Sequence, residues 1–348
     1  MKLIGRSANR LYIYVDDLPL LGHIAFGIID RGTTILQVRP TTICPLNCIF
    51  CSVDAGPRSR YRQAEYVVDP KHMVTWFRYA VKAKDNDVIE ALIDGVGDPA
   101  TYPYLPELVR ELKRIVPRVA METHGATLTK ELVRKLEEAG LDRINLSIDT
   151  LDADKARYLQ GTRWINISRV KEIAEFIAME TNIDLHITPV WIPGVNDQDI
   201  EQIIEWGLRI GAGKRFPPFG IQKYEVHKYG RKVPGVKEVG WYEFRKYLES
   251  LERKYGVPLY YKKLDFGIRR TKRIPIKYHV GEELLVQIVA PGWLRGELIA
   301  VDRDWECVIT VIGMDTDCSR AIGRRLRVRI IENKDGIYIA RPLSSLQR

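Results

Sequence analysis

The chain has 348 residues, 45% of them hydrophobic, with 54 Lys and Arg against 45 Asp and Glu. That length allows one large domain with a small appendage, or two ordinary ones, each with a buried core. No apolar run is long enough to span a bilayer and the start lacks a signal peptide's apolar segment, so a cytoplasmic protein that leaves membranes alone is expected, its oligomeric state left open with a monomer favoured. A net charge of +9 favours an anionic partner, nucleic acid first.

Residues 1–33 mix short apolar runs (Leu11–Val15, His23–Ile29) with turn residues and read as a β lead-in without chemistry. From Thr34 the pattern becomes strand and helix in alternation. Ile35–Arg39 is the first strand and feeds directly into Cys44-Pro45-Leu46-Asn47-Cys48-Ile49-Phe50-Cys51. Asp69 and Pro70 open a helix as N-cap and first helical residue. Further strands are expected at 88–93, 119–122, 143–148, 184–190 and 219–222. Helices are expected at 105–115, 129–139, 168–180, 197–211 and 241–254. Six strands separated by helices predict an α/β domain with a parallel sheet, an open partial (βα)6 barrel over residues 34–262. In such folds the chemistry gathers where strands end and loops begin. A basic linker follows at 263–279, and five short strands over 280–345 predict a small closed β-barrel of the oligonucleotide-binding kind.

Three of the five cysteines fall within eight residues, close enough for all three thiolates to reach one metal centre. Three thiolates on a four-iron cluster leave one iron open to a non-protein ligand. A zinc site completed by a distant histidine, or thiols that merely lie near each other, are the alternatives, although a structural zinc site normally wants four ligands.

This CxxxCxxC spacing, with the aromatic Phe50 just before the last cysteine, resembles the signature of the radical S-adenosylmethionine (radical SAM) superfamily. The resemblance implies that Cys44, Cys48 and Cys51 hold a 4Fe-4S cluster whose open iron binds the amino and carboxylate groups of SAM. It implies that an electron from the cluster, supplied by a ferredoxin- or flavodoxin-like donor, splits SAM into methionine and a 5′-deoxyadenosyl radical. Val96-Gly97-Asp98-Pro99, after Gly95, then stands where the family has its GGEP motif, with Val96 in place of the first Gly and Asp98 in place of Glu as departures. Thr123, His124, Ser147, Asp149 and Asn196 end the later strands, where the family contacts SAM. Asp149 could equally cap a helix, as could Asn196 or Asp197.

The C-terminal strands resemble a TRAM domain, the RNA-gripping barrel of several tRNA-modifying enzymes, and the combination resembles archaeal-type Fe-S oxidoreductases. Candidate RNA contacts are Arg58, Arg60 and Arg62 beyond the cysteines, and Lys223, Lys228 and Arg231 in a basic-aromatic rim. Arg269, Arg270, Lys272 and Arg273 in the linker and Arg320, Arg324 and Arg325 in the barrel complete the set. Cys307 and Cys318 are too few for a second such cluster, which argues against a methylthiotransferase; a disulfide or buried thiols fit them better. The expected function is radical SAM modification of a nucleoside in RNA, tRNA first. The alternatives are a protein, peptide or lipid substrate, and a non-enzymatic Fe-S RNA-binding protein.

Overall fold

The computed structural model describes residues 1–7, 10–314 and 318–343, without the side chains of residues 318 and 319. In chain order the strands are β1 (Lys2–Ser7), β2 (Arg10–Val15), β3 (Gly27–Asp30), β4 (Ile35–Arg39), β5 (Ala64–Val68) and β6 (Glu90–Ile93). There follow β7 (Arg118–Thr123), β8 (Arg143–Leu146), β9 (Asp184–Ile187), β10 (Val190–Trp191) and β11 (Gln222–Lys223). The last five are β12 (Glu283–Pro291), β13 (Glu297–Val301), β14 (Val308–Ile312), β15 (Arg325–Glu332) and β16 (Ile339–Pro342). The chain forms two compact units: Met1–Ile43, Arg60–Gly97 and Arg270–Arg348 make the first, and Cys44–Ser59 with Asp98–Arg269 make the second.

In the first unit β1 pairs antiparallel with β2, and β2 runs parallel to β5, a strand the sequence pattern did not announce. β3 lies antiparallel to β4, which runs parallel to β6. The helix Pro70–Ala83 begins as its residues dictate: Asp69 Oδ1 accepts the His72 N–H at 2.8 Å and Pro70 occupies the first turn. The C-terminal strands close into a five-stranded barrel in the order β12-β13-β14-β16-β15. Along β15, Leu326, Val328 and Ile330 point into its core while Arg325, Arg327 and Arg329 point out, the period-two alternation of a half-buried strand. Cys307 is a free, buried thiol in that core, pushed up to about 12 by burial first and the neighbouring Asp302 second. The side chain of Cys318 lies outside the described residues.

The second unit carries β7, β8 and β9 as parallel neighbours. Their register sets Glu122, Asn145 and His186 side by side on one face, with Met121, Ile144 and Leu185 aligned on the other. Each strand is followed by a helix: Lys130–Glu138, Ala153–Leu159 with Ile167–Glu180, and Asp197–Arg209. Thr129 and Asn166 cap two of these through side-chain oxygens. At the strand starts Phe216 and Phe266 cover the polar face, with the Arg143 guanidinium 4.7 and 5.3 Å from their ring centres. The expected sixth strand at 219–222 is shorter than its pattern. Phe219 makes one bridge to Ile187, and only Gln222–Lys223 pairs as a strand, with Val190–Trp191. The His186 ring comes so close here that a Cβ on Gly220 would lie 2.4 Å from its Nε2, which is why the position is a glycine.

Candidate functional site

The three cysteines sit on a loop of the second unit that the rest of the unit holds from behind. Asn47 N–H donates to the Gln160 carbonyl at 3.0 Å and Ile49 N–H to Leu159 at 2.9 Å, fixing the loop to the end of helix Ala153–Leu159. The approach is so close that Gly161, at φ 59°, has no room for a side chain: a Cβ there would lie 2.1 Å from the Asn47 carbonyl oxygen. Within the loop Cys51 N–H donates to Cys48 O at 3.1 Å, and Ala55 N–H reaches the Cys51 sulfur at 3.2 Å. None of the three is in a disulfide among the described residues; Cys48 is buried and the other two half-buried, and Phe50 is packed inside.

Burial pushes the Cys48 thiol well above its ordinary range, and Cys51, Cys44 and Asp149 push the same way while Arg231 opposes them. Three thiolates so placed need a cationic centre to hold their charge, because metal binding is what deprotonates a coordinating thiol outright. Among the described residues no three His, Cys, Asp or Glu side chains converge on a single ion. A cubane takes one thiolate per iron at separate corners, so three cysteine thiols carried on one loop fit a four-iron cluster with one iron left open.

Arg231, from the segment after β11, completes the loop. Its backbone N–H donates to Cys51 O at 2.8 Å, Nη1 to Cys48 O at 3.0 Å and Nη2 to Ala55 O at 2.5 Å. Its Nε lies 2.9 Å from the carboxylate of the buried Asp54. An outward, RNA-facing role expected for Arg231 is therefore corrected: a guanidinium with its fork on three loop groups is not free to grip a phosphate.

The ends of β7 and β8 face the same side of the unit. Asp98 Oδ1 accepts the Thr123 hydroxyl at 2.6 Å and the Ala100 N–H at 3.0 Å, and Oδ2 accepts the His124 N–H at 3.2 Å. Asp98 thus brackets the turn that begins at buried Pro99. His124 is fixed next. The Ser147 carbonyl, 3.0 Å from Nδ1, can only accept, so Nδ1 carries a proton, and Nε2 is turned 3.9 Å from the Cys48 sulfur. Ser147 itself is half-buried.

Asp149 is buried, with Oδ1 accepting the Val190 N–H at 2.8 Å and Oδ2 without a hydrogen-bond partner among the described residues. Burial raises its carboxyl above the usual range, against the pull of His124 and the Val190 N–H. A buried carboxylate oxygen lacking a donor marks a place where a ligand would supply one. Asn196 differs. Its Nδ2 donates to Asp149 O at 3.1 Å and Val190 O at 2.9 Å, and its Oδ1 accepts Ile192 N–H at 2.7 Å. With that set spent on main chain, Asn196 props Asp149 in place; it is also the N-cap residue of the next helix, without a side-chain cap bond.

In the first unit Gly97 packs on the chain just before the cysteine loop: a Cβ would lie 2.4 Å from the Thr42 carbonyl carbon and 2.5 Å from Ile43 O. A Cβ on Gly95 would meet Thr41 O at 3.1 Å. Arg62 is the rivet of this region, fully buried and donating to Thr42 O at 2.8 Å and to Val96 O. It also pairs with Glu65 at 3.1 Å and lies over the Trp293 ring. Its expected place among RNA contacts is a second correction, since no phosphate can reach it.

The remaining basic candidates divide. Arg58, Arg60, Lys228, Arg269, Arg270, Arg320, Arg324 and Arg325 are exposed. Lys272 pairs with Asp85 at 2.9 Å and Arg273 with Asp335 at 3.1 Å. Lys223 is withdrawn, its ammonium 5.3 Å from the Trp241 ring centre and 3.2 Å from Val239 O. Trp241 and Tyr242, 67% and 70% exposed, were missed in the sequence because an aromatic pair opening a helix reads as core. The available signal was their position at the open N-terminus of the helix: Tyr242 lies off the stripe of the buried Phe244, Leu248 and Leu251, and Trp241 stands on that stripe at its uncovered end.

The family model described as the radical SAM superfamily matches residues 38–207. The uncharacterized protein MJ0103 of Methanocaldococcus jannaschii is 38% identical over 97% of this chain and 82% of its own length. A GTP 3',8-cyclase of Syntrophomonas wolfei is 27% identical over 77% of this chain and 81% of its own. Among solved structures, Streptococcus suis SuiB bound to S-adenosylmethionine aligns with a TM-score of 0.49 at 19% identity. That alignment covers 73% of this chain and 51% of SuiB, so the chain spans about half of SuiB's length. The chain belongs to the radical SAM superfamily, whose members use a 4Fe-4S cluster and SAM.

Proposed function

We propose that this chain is a single-cluster radical SAM enzyme that modifies a nucleoside in RNA, tRNA first. Cys44, Cys48 and Cys51 hold the cluster, and the free oxygen of Asp149, with His124 and Ser147 beside it, faces SAM. A cluster held there would supply the electron that splits SAM. The residues of the chain fix the loop, bury the thiolates and hold a proton on His124 Nδ1.

The observation that carries the RNA reading is the outer face of the closed C-terminal barrel. Arg325 and Arg327 project from one side of β15, with exposed Arg320 and Arg324 just before it, while Arg329 on the same side pairs with Glu283 at 2.5 Å. Such a row matches a phosphate backbone in charge, as in a TRAM-like grip. A second reading is favoured by the GTP 3',8-cyclase among the relatives: a free purine nucleotide as substrate.

Release of 5′-deoxyadenosine from SAM by the anaerobically reduced enzyme decides between them. Bulk tRNA should accelerate release over enzyme alone. Acceleration by GTP and not by tRNA supports the nucleotide reading. No acceleration by either leaves a protein, peptide or lipid substrate.

A further inference from the structure

Arg231 stands far along the chain from the cysteines yet spends its donors on their loop. A guanidinium presents five N–H groups in a rigid fork, and here three directions of that fork are used at once, on Cys48 O, Ala55 O and Asp54. Gly230 makes the approach feasible, because a Cβ at that position would lie 2.8 Å from Ser52 O and 3.0 Å from Cys51 O. Asp54 is itself built in: 1% exposed, in the left-handed region at φ 48°, and accepting the Ser59 hydroxyl at 2.9 Å. With these carbonyls turned to Arg231, the Ala55 N–H is left to face the Cys51 sulfur.

The potential of an iron-sulfur cluster follows the net charge around it and the hydrogen bonds to its sulfurs. Reduction adds a negative charge, and a fixed cation with an N–H on sulfur stabilises the reduced state. We propose that Arg231 is a positioning residue for the cluster, clamping the cysteine loop through three main-chain carbonyls while its charge makes the cluster easier to reduce. The proposal rests on the cluster assignment above and adds a role for a residue outside the cysteine motif.

The test is an EPR-monitored redox titration of anaerobically reconstituted full-length protein, with iron and sulfide measured on each sample. At the wild-type midpoint, Arg231→Met should raise the oxidised-to-reduced ratio about tenfold, which is about 59 mV for a one-electron couple. Arg231→Lys should recover most of that difference. Asp54→Asn, which removes a negative charge and leaves Arg231, should move the ratio the other way. Equal midpoints for wild type and Arg231→Met, or Asp54→Asn moving in the same direction as Arg231→Met, overturn the role of charge. Should Arg231→Met fail to hold iron, the clamp stands and the Asp54→Asn and Arg231→Lys midpoints decide the charge. Wild-type protein without inorganic sulfide would instead sink the cluster assignment itself, a separate result.

Discussion

The imidazole of His124 spans the 23 residues to Ser147 and turns back on the cysteine loop, its Nδ1 held by the Ser147 carbonyl and its Nε2 3.9 Å from the Cys48 sulfur. A ring so fixed acts on a ligand without being one. Outer partners of this kind change metal-site activity about ten- to hundredfold when removed. His124→Ala should therefore keep its iron and sulfide but release 5′-deoxyadenosine about ten- to hundredfold more slowly with dithionite and SAM. An unchanged rate would show that the ring is only packing.

Asp149 gives a prediction with a pH sign. Its folded carboxyl is raised by burial, so the folded state takes up its proton more readily than the unfolded chain. The associated stability is present below the ordinary carboxylate pKa and is lost as pH rises through the raised value. Asp149→Asn keeps an oxygen for the Val190 N–H and removes this penalty. Without SAM, the variant should melt at or above the wild-type temperature at neutral pH, the gap closing as pH falls to about 4. SAM binding, followed by equilibrium dialysis, should weaken at least about tenfold, the worth of a hydrogen bond to a charged group. A wild-type affinity in Asp149→Asn would remove the residue from the cofactor site.

Local features of this chain were legible because their causes are local. The spacing of Cys44, Cys48 and Cys51 is a chemical statement on its face, and Asp69-Pro70 starts a helix with groups three residues apart. Ala64–Val68 passed unnoticed because its partner, Arg10–Val15, lies some fifty residues earlier and no hairpin turn announces the pairing. Arg62 and Arg231 were misplaced for a related reason. A basic residue among aromatics looks the same in sequence whether its guanidinium meets solvent or the carbonyls of a distant loop, and only the fold supplies the carbonyls. Asn196 was read either as a cofactor contact or as an N-cap, and it does stand at the N-cap position. What its amide touches was not visible.

Arg62 yields the plainest stability prediction. Its side chain is fully buried on Thr42 O, Val96 O, Glu65 and Trp293. Arg62→Met strands part of that network and should destabilise the protein by about 3 kcal/mol, the low end for a broken buried pair because Arg10 still reaches Glu65. Arg62→Lys should recover little, since an ammonium cannot bridge the same directions. Arg58→Ala, four residues away and exposed, should stay within about 0.5 kcal/mol. Denaturant melts of the three variants check this, and a wild-type midpoint for Arg62→Met would refute it.

The RNA reading separates into two surfaces that salt can tell apart. Arg325 and Arg327 are exposed on the barrel, so replacing both with Ala should weaken tRNA binding and lower the slope of log affinity against log salt by about 1 to 2. Trp241 and Tyr242 offer ring faces, with Lys246 4.5 Å from the centre of the Tyr242 ring. Stacking on unpaired bases is worth about 1–3 kcal/mol per base and releases no counterions. Trp241→Ala with Tyr242→Ala should then cost single-stranded RNA at least about fivefold in affinity while leaving the salt slope unchanged. If both double variants bind as the wild type does at every salt concentration, the basic charge of this chain serves some other anion, and the nucleotide reading gains what the RNA reading loses.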